Sequence, residues 1–365
     1  MAPVIRELQR RERCFRLTVC ATAQHRTLLD QVVQIFRIPI DFDLDVMVDD
    51  QTLEGLTSRI LNGMARVLAK TQPDIVLVQG DTTTTFAVSL ASFYHRIPVG
   101  HVEAGLRTGD PLAPFPEELN RCLTSQLALL HFAPTQWARA NLLANGIPSS
   151  RIFVTGNTVV DAFLHARRMV LRRPPAALHM NGLTSANRRI LLVTAHRREN
   201  FGAPIERICS ALRELATHRD DITIVYPVHP NPHICGPVRR ILGRVPRIHL
   251  LEPLEYLAFV WLMNQSYLVL TDSGGIQEEM PSLGRPVLIL RDKTERPEGL
   301  EAGVCQLVGT RSLSIQRAVT RLLDDPRAYR RFARRPNPFG DGRAAWRIAD
   351  RLERSLSSSS HERTV

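Results

Sequence analysis

Lysine is almost absent from this 365-residue chain: Lys70 and Lys293 are the only two, so nearly all of its positive charge is arginine. The 47 basic residues outnumber the 36 acidic ones, for a net charge of +11. Such a charge raises the question of nucleic-acid binding. The basic residues are scattered and no recognition motif accompanies them, so no nucleic-acid partner is expected. An arginine-for-lysine habit fits a GC-rich coding background better than a binding surface. Cysteine is sparse: Cys14, Cys20, Cys122, Cys209, Cys235 and Cys305 include no C-x-x-C pair. That excludes a zinc ribbon and a disulfide framework, and isolated thiols fit a reducing cytoplasm. No apolar run approaches the ~18–20 residues that cross a bilayer, so membrane insertion is not expected. The opening segment reads as an amphipathic helix and lacks the apolar core of a signal peptide. Neither a G-x-G-x-x-G dinucleotide fingerprint nor a Gly-Lys-Ser/Thr phosphate loop is present. No group of residues has metal-ligand spacing, and no cofactor is expected.

What is present is a regular alternation. Short β-branched runs at Arg16–Ala21, Ile75–Gln79, Pro98–Val102, His131–Pro134 and Ile152–Val154 are separated by helical patterns. The second half repeats this with Ile190–Thr194, Thr223–Tyr226, Ile248–Leu251, Leu268–Thr271 and Val287–Leu290. Continuous apolar strands between helices predict an α/β protein with doubly wound parallel sheets. The reading divides the chain into 1–157, with a returning helix at 337–356, and 158–336. An Arg- and Pro-rich surface connection is expected at Arg167–Arg189, and a frayed tail at 357–365.

In open α/β sheets, ligands sit beyond the carboxyl ends of the strands, so the residues after each run matter most. Gly80-Asp81-Thr82-Thr83-Thr84-Thr85 follows one run; Asp81 is either a helix cap or a functional acid. His101-Val102-Glu103-Ala104-Gly105-Leu106-Arg107 follows the next. Glu117 and Arg121 stand four apart on an expected helix, on one face. Asp272-Ser273-Gly274-Gly275 opens a helix that carries Glu279, a turn suited to an anion. His196, His229 and Arg296 follow three further strands. Carboxylates in the first half and anion-binding groups in the second suggest a nucleotide-linked substrate.

These motifs, in this order, resemble the bacterial non-hydrolysing UDP-N-acetylglucosamine 2-epimerases, from Met1 to about Arg347 and through Asn337-Pro338-Phe339-Gly340-Asp341-Gly342. The resemblance implies two Rossmann-like domains of the glycosyltransferase-B kind, with the active site in the interdomain cleft. It implies interconversion of UDP-GlcNAc and UDP-ManNAc by elimination of UDP to 2-acetamidoglucal and re-addition, in a homodimer. It assigns proton transfer to Asp81, Glu103 and Glu117. It gives His196, Ser273, Gly274, Gly275 and Arg296 to the diphosphate, Glu279 to the ribose, and Arg121 to orienting the Glu117 side. Gln24, His25, Gln51 and His229 match part of the site where bacterial members bind a second, activating UDP-GlcNAc. The family's opening strand, its Gly-Thr-Arg-Pro-Glu loop and the Lys that follows have no counterpart here. The expectation is therefore a true start upstream and a first sheet short of a central strand. Rival readings are the hydrolysing epimerase, a glycosyltransferase of the same fold, and an inactive UDP-sugar binder.

Overall fold

A computed structural model describes residues 1–23, 26–48, 50–175 and 188–362. The chain forms two compact units: Met1–Ala162 with Gly342–Val365, and Phe163–Asp341. The boundaries lie at 162/163 and 341/342, against the expected 157/158 and 336/337. The reason is α7 (Thr158–Arg172), which starts in the first unit while its Phe163, Ala166 and Val170 join a core of the second.

In the first unit, β3 (Val76–Gln79), β4 (Val99–Val102), β5 (Leu130–Ala133) and β6 (Ile152–Val154) form a parallel sheet in that order. Two shorter strands, β1 (Cys20–Ala21) and β2 (Phe42–Asp43), pair separately. Alternation along the strands feeds two cores, because successive side chains point to opposite faces. Val78 packs with α3 (Leu53–Thr71) and α4 (Thr83–Tyr94). Leu77, Val102 and Phe132 pack with α1 (Ala2–Arg10) and the returning α15 (Ala344–Glu362). Asp161 caps α15 by accepting from Ala344 and Ala345 N–H at 3.2 and 2.9 Å. Helix α15 runs as far as Glu362, and Ser357 Oγ donates back to the Glu353 carbonyl at 2.8 Å.

The second unit holds six parallel strands in the order β12-β11-β10-β7-β8-β9. These are β7 (Arg189–Thr194), β8 (Ile222–Pro227), β9 (Ile248–Leu251), β10 (Leu268–Thr271), β11 (Val287–Ile289) and β12 (Cys305–Leu307). Leu191 and Val193 face one core with α8 (Ala203–His218) and α13 (Ser312–Asp324). Ile190 and Leu192 face the other with α7 and α10 (Tyr256–Gln265). Each such fully buried aliphatic side chain contributes about 1.5–3 kcal/mol. The winding reverses between β7 and β10, and a doubly wound sheet opens its ligand crevice at such a reversal. Of the expected Arg167–Arg189 connection, Arg167–Arg172 are instead the end of α7, with Val170 buried in a core, and Arg189 opens β7; residues 176–187 fall outside the described residues.

Candidate active-site groups in each unit

The register of β3 on β4 sets the first group. Gln79 pairs with Val102, so the residues that follow, Gly80-Asp81 and Glu103, leave the sheet side by side. Gly80 turns the chain at φ +77°, and Thr82, not Asp81, caps α4 by accepting from Thr85 N–H at 3.3 Å. The Asp81 carboxylate is thereby released from the capping role. It accepts instead from Arg121 Nη2 at 2.7 Å, and Asn120 Nδ2 donates to its carbonyl at 3.1 Å. Burial raises the Asp81 carboxyl above its ordinary range; Arg121 opposes this, and Glu103 and Glu117 add to it. Two of the predicted acids therefore act on the third.

Glu103 stands at φ +63°, a left-handed conformation that costs a non-glycine residue about 1–3 kcal/mol. It is held there by Gln79 Nε2, which donates to Oε2 at 3.1 Å, and by Asn157 Nδ2, which donates to Oε1 at 3.4 Å. Gln79 in turn accepts from the Met1 amine. His101, wholly buried on β4, lies 2.8 Å through Nε2 from the Gly80 carbonyl. Burial lowers its pKa to about 3, so the ring is neutral and Nε2–H donates to the turn that carries Asp81.

Glu117 opens α5 (Glu117–Leu127), on which Arg121 is buried. Arg121, expected to orient the Glu117 side, has its ion pairs elsewhere. Arg121 Nη1 meets Glu118 Oε2 at 3.2 Å and Nη2 meets Asp81. Glu118 is the buried member of the two neighbouring acids, and a buried carboxylate has most to gain from a cation. It also accepts from Thr108 and Gly109 N–H at 3.1 and 3.2 Å, fixing the loop before the helix.

The second group lies at the β7/β10 reversal. Ser273 precedes the short α11 (Gly274–Glu279) in extended conformation, without a side-chain cap hydrogen bond. A Cβ on Gly274 would stand 2.7 Å from the Arg296 guanidinium, whereas one on Gly275 would meet nothing within 4 Å. Arg296 is held by Glu278 through Nε and by Glu295 Oε1, 2.8 Å from Nη1. Burial, with Glu278 next, pushes the Glu279 carboxyl up to about 8. His196 follows β7 with its ring half-exposed and stacked on His229, centroids 5.8 Å apart. Burial lowers the His196 pKa most; Asp272 raises it, and Arg197 and His229 lower it.

The buried Asp272, which the sequence places only at the start of the Ser-Gly-Gly turn, has a role of its own. Its Oδ2 accepts from His196 N and Arg197 N, both at 2.8 Å, and from Asn200 Nδ2 at 2.9 Å. An acid placed between an apolar strand and a Ser-Gly-Gly turn was the available signal. Of the four expected activator residues, Gln51 accepts from Arg59 Nη2 at 2.7 Å, and His229 belongs beside His196. Gln24 and His25 lie outside the described residues. Among the described residues no group of three or more metal-ligating side chains forms, and no helix is long and apolar enough to cross a membrane.

Two parallel-sheet units, each with polar groups at its strand ends, give the chain a glycosyltransferase-B-like fold of two Rossmann-like domains. At 13% identity, the trehalose 6-phosphate synthase of Burkholderia multivorans matches this fold with a TM-score of 0.60. A family model described as UDP-N-acetylglucosamine 2-epimerase matches residues 6–353. The curated UDP-N-acetylglucosamine 2-epimerase of Escherichia coli K12 is 53% identical, over 98% of this chain and 96% of its own. A solved epimerase from Neisseria meningitidis, bound to UDP-GlcNAc, is 47% identical with a TM-score of 0.85, covering 96% of this chain and 95% of that one. A Listeria monocytogenes structure described as a UDP-N-acetylglucosamine 2-epimerase reaches a TM-score of 0.91 at 46% identity, over 98% and 93% of the two chains. The chain belongs to the UDP-N-acetylglucosamine 2-epimerase family.

Proposed function

We propose that this chain interconverts UDP-GlcNAc and UDP-ManNAc without hydrolysis, by anti elimination of UDP to 2-acetamidoglucal and re-addition. The C2–H bond is not acidic by itself, so departure of UDP from C1 must help to ionise it. The reaction therefore needs bases near neutral pH and a preorganised site for the departing diphosphate. Asp81, Glu103 and Glu117 are the proton-transfer candidates. The observation that carries this reading is the setting of Asp81: it leaves the sheet beside Glu103, Arg121 holds its carboxylate at 2.7 Å, and burial, with Glu103 and Glu117, raises it, which suits a site that must both take and give a proton. Arg121 and Gln79 orient the acids. In the second unit, Ser273, Gly274, Gly275, His196 and Arg296 take the diphosphate and Glu279 takes the ribose.

Gln51 and His229 are kept as candidate contacts for a second, activating UDP-GlcNAc, and the active species is proposed to be a homodimer. The test is product analysis after incubation with UDP-GlcNAc. UDP-ManNAc as the sole new sugar supports the proposal. Free ManNAc with stoichiometric UDP would replace it with the hydrolysing reaction, and UDP binding without turnover with an inactive binder.

A further inference from the structure

We propose that Asp272 is a positioning residue that holds His196 with its proton on Nδ1 and its Nε2 directed at the leaving diphosphate. The inference rests on the reading that His196 meets that group.

Asp272 is the first residue beyond β10 and is fully buried. A carboxylate removed from water requires several donors or a cation. Its Oδ2 has three N–H donors, two of them the consecutive backbone amides of His196 and Arg197. This pins the loop after β7 to the end of the neighbouring strand. Its Oδ1 has none of these and no hydrogen-bond partner of good geometry, yet His196 Nδ1 lies 3.3 Å away. A buried acceptor facing a ring nitrogen is satisfied only when that nitrogen carries a proton. The Nδ1–H tautomer follows, and Nε2 becomes the free end of the ring.

The other groups facing the ring oppose its charge. Arg197 and His229 both disfavour the imidazolium, and Asp272 alone among the three favours it. His229 is oriented by its own loop, since its Nδ1 accepts from Asn231 N–H at 3.2 Å. When UDP departs and the diphosphate gains charge, the half-exposed ring oriented by Asp272 takes a second proton at Nε2 from solvent water. It then donates that N–H to a phosphate oxygen. Outer groups of this kind set ring tautomer and orientation in many histidine sites.

The experiment uses the full chain with ¹⁵N-histidine and long-range ¹H–¹⁵N spectra, with His196 assigned by loss of its signals in His196→Gln. The expected result is the Nδ1–H tautomer, moving towards imidazolium when UDP is added. Asp272→Asn keeps an acceptor for the loop amides but turns an amide N–H₂ towards Nδ1. It should switch the ring to Nε2–H, lower kcat by about 10–100-fold with little change in KM, and move the high-pH limb of the profile to lower pH. An Nε2–H tautomer in the unmodified protein overturns the proposal. So does an Asp272→Asn protein that melts earlier but keeps its tautomer and pH profile. If that variant does not fold, the spectrum of the unmodified protein decides alone. The tautomer is read without turnover, so loss of the epimerase reading would appear separately.

Discussion

The two units place charge at their strand ends in opposite ways. In the first, Asp81 and Glu118 share one buried arginine, while Glu103 is held by amide side chains and Glu117 is near enough to act on Asp81. In the second, Arg291 and Arg296 are both tied to Glu295, with Glu199 and Glu278 as further partners. In the first arrangement a single arginine stands among four acids; in the second each of two arginines is anchored by two carboxylates. The difference suits a division of labour in which one unit moves protons and the other holds a diphosphate in a fixed frame.

The sharpest way to break the comparison is to remove the shared arginine. Arg121→Met leaves Glu118 buried without its cation and Asp81 without its donor. A loss of about 3–5 kcal/mol in urea unfolding is expected, together with loss of activity. A loss below about 1 kcal/mol would mean that the acids do not depend on Arg121. Asp81→Asn separates function from stability. Because burial already works against the ionised carboxyl, the amide should cost little in melting temperature. It should lower kcat by about 10²–10⁴-fold. A matching fall in melting temperature would recast Asp81 as structural.

Glu279 provides a pH test in the second unit. Its folded pKa of about 8 lies above the ordinary 4.5, so the folded state holds the extra proton between these values. Stability from this group is full below pH 4.5 and is lost as the pH rises through 8. Glu279→Gln should therefore be the more stable protein at pH 9, by on the order of 1–4 kcal/mol, with no advantage at pH 4.5. Equal differences at both pH values would contradict the assignment. The smallest effect separates the two glycines. Gly274→Ala must displace the pinned Arg296 guanidinium and should lower both stability and UDP affinity. Gly275→Ala meets open space, so it should leave the melting temperature unchanged while weakening UDP about tenfold in calorimetry.

The strands that position these groups were legible because Ile75–Val78 and Leu268–Thr271 are continuous apolar runs followed by polar turns. β2 and β12, of two and three residues, are too short to show a period. The acids and the Ser-Gly-Gly turn were legible as strand-end residues. The partner of Arg121 was not: helical spacing offers Glu117 and Glu118 almost equally, and Asp81 arrives from forty residues away in sequence. The role of Asp272 was not legible for a similar reason, since it depends on the loop after β7, which only the sheet order brings beside it.

The central claim is proton exchange at C2 coupled to reversible loss of UDP. It is tested most directly by turnover of UDP-GlcNAc in D₂O, with C2 followed by NMR and mass spectrometry. UDP-ManNAc carrying one deuterium at C2 is expected, with deuterium also entering the UDP-GlcNAc pool as equilibrium is reached. UDP-ManNAc that retains its original C2 hydrogen would contradict it.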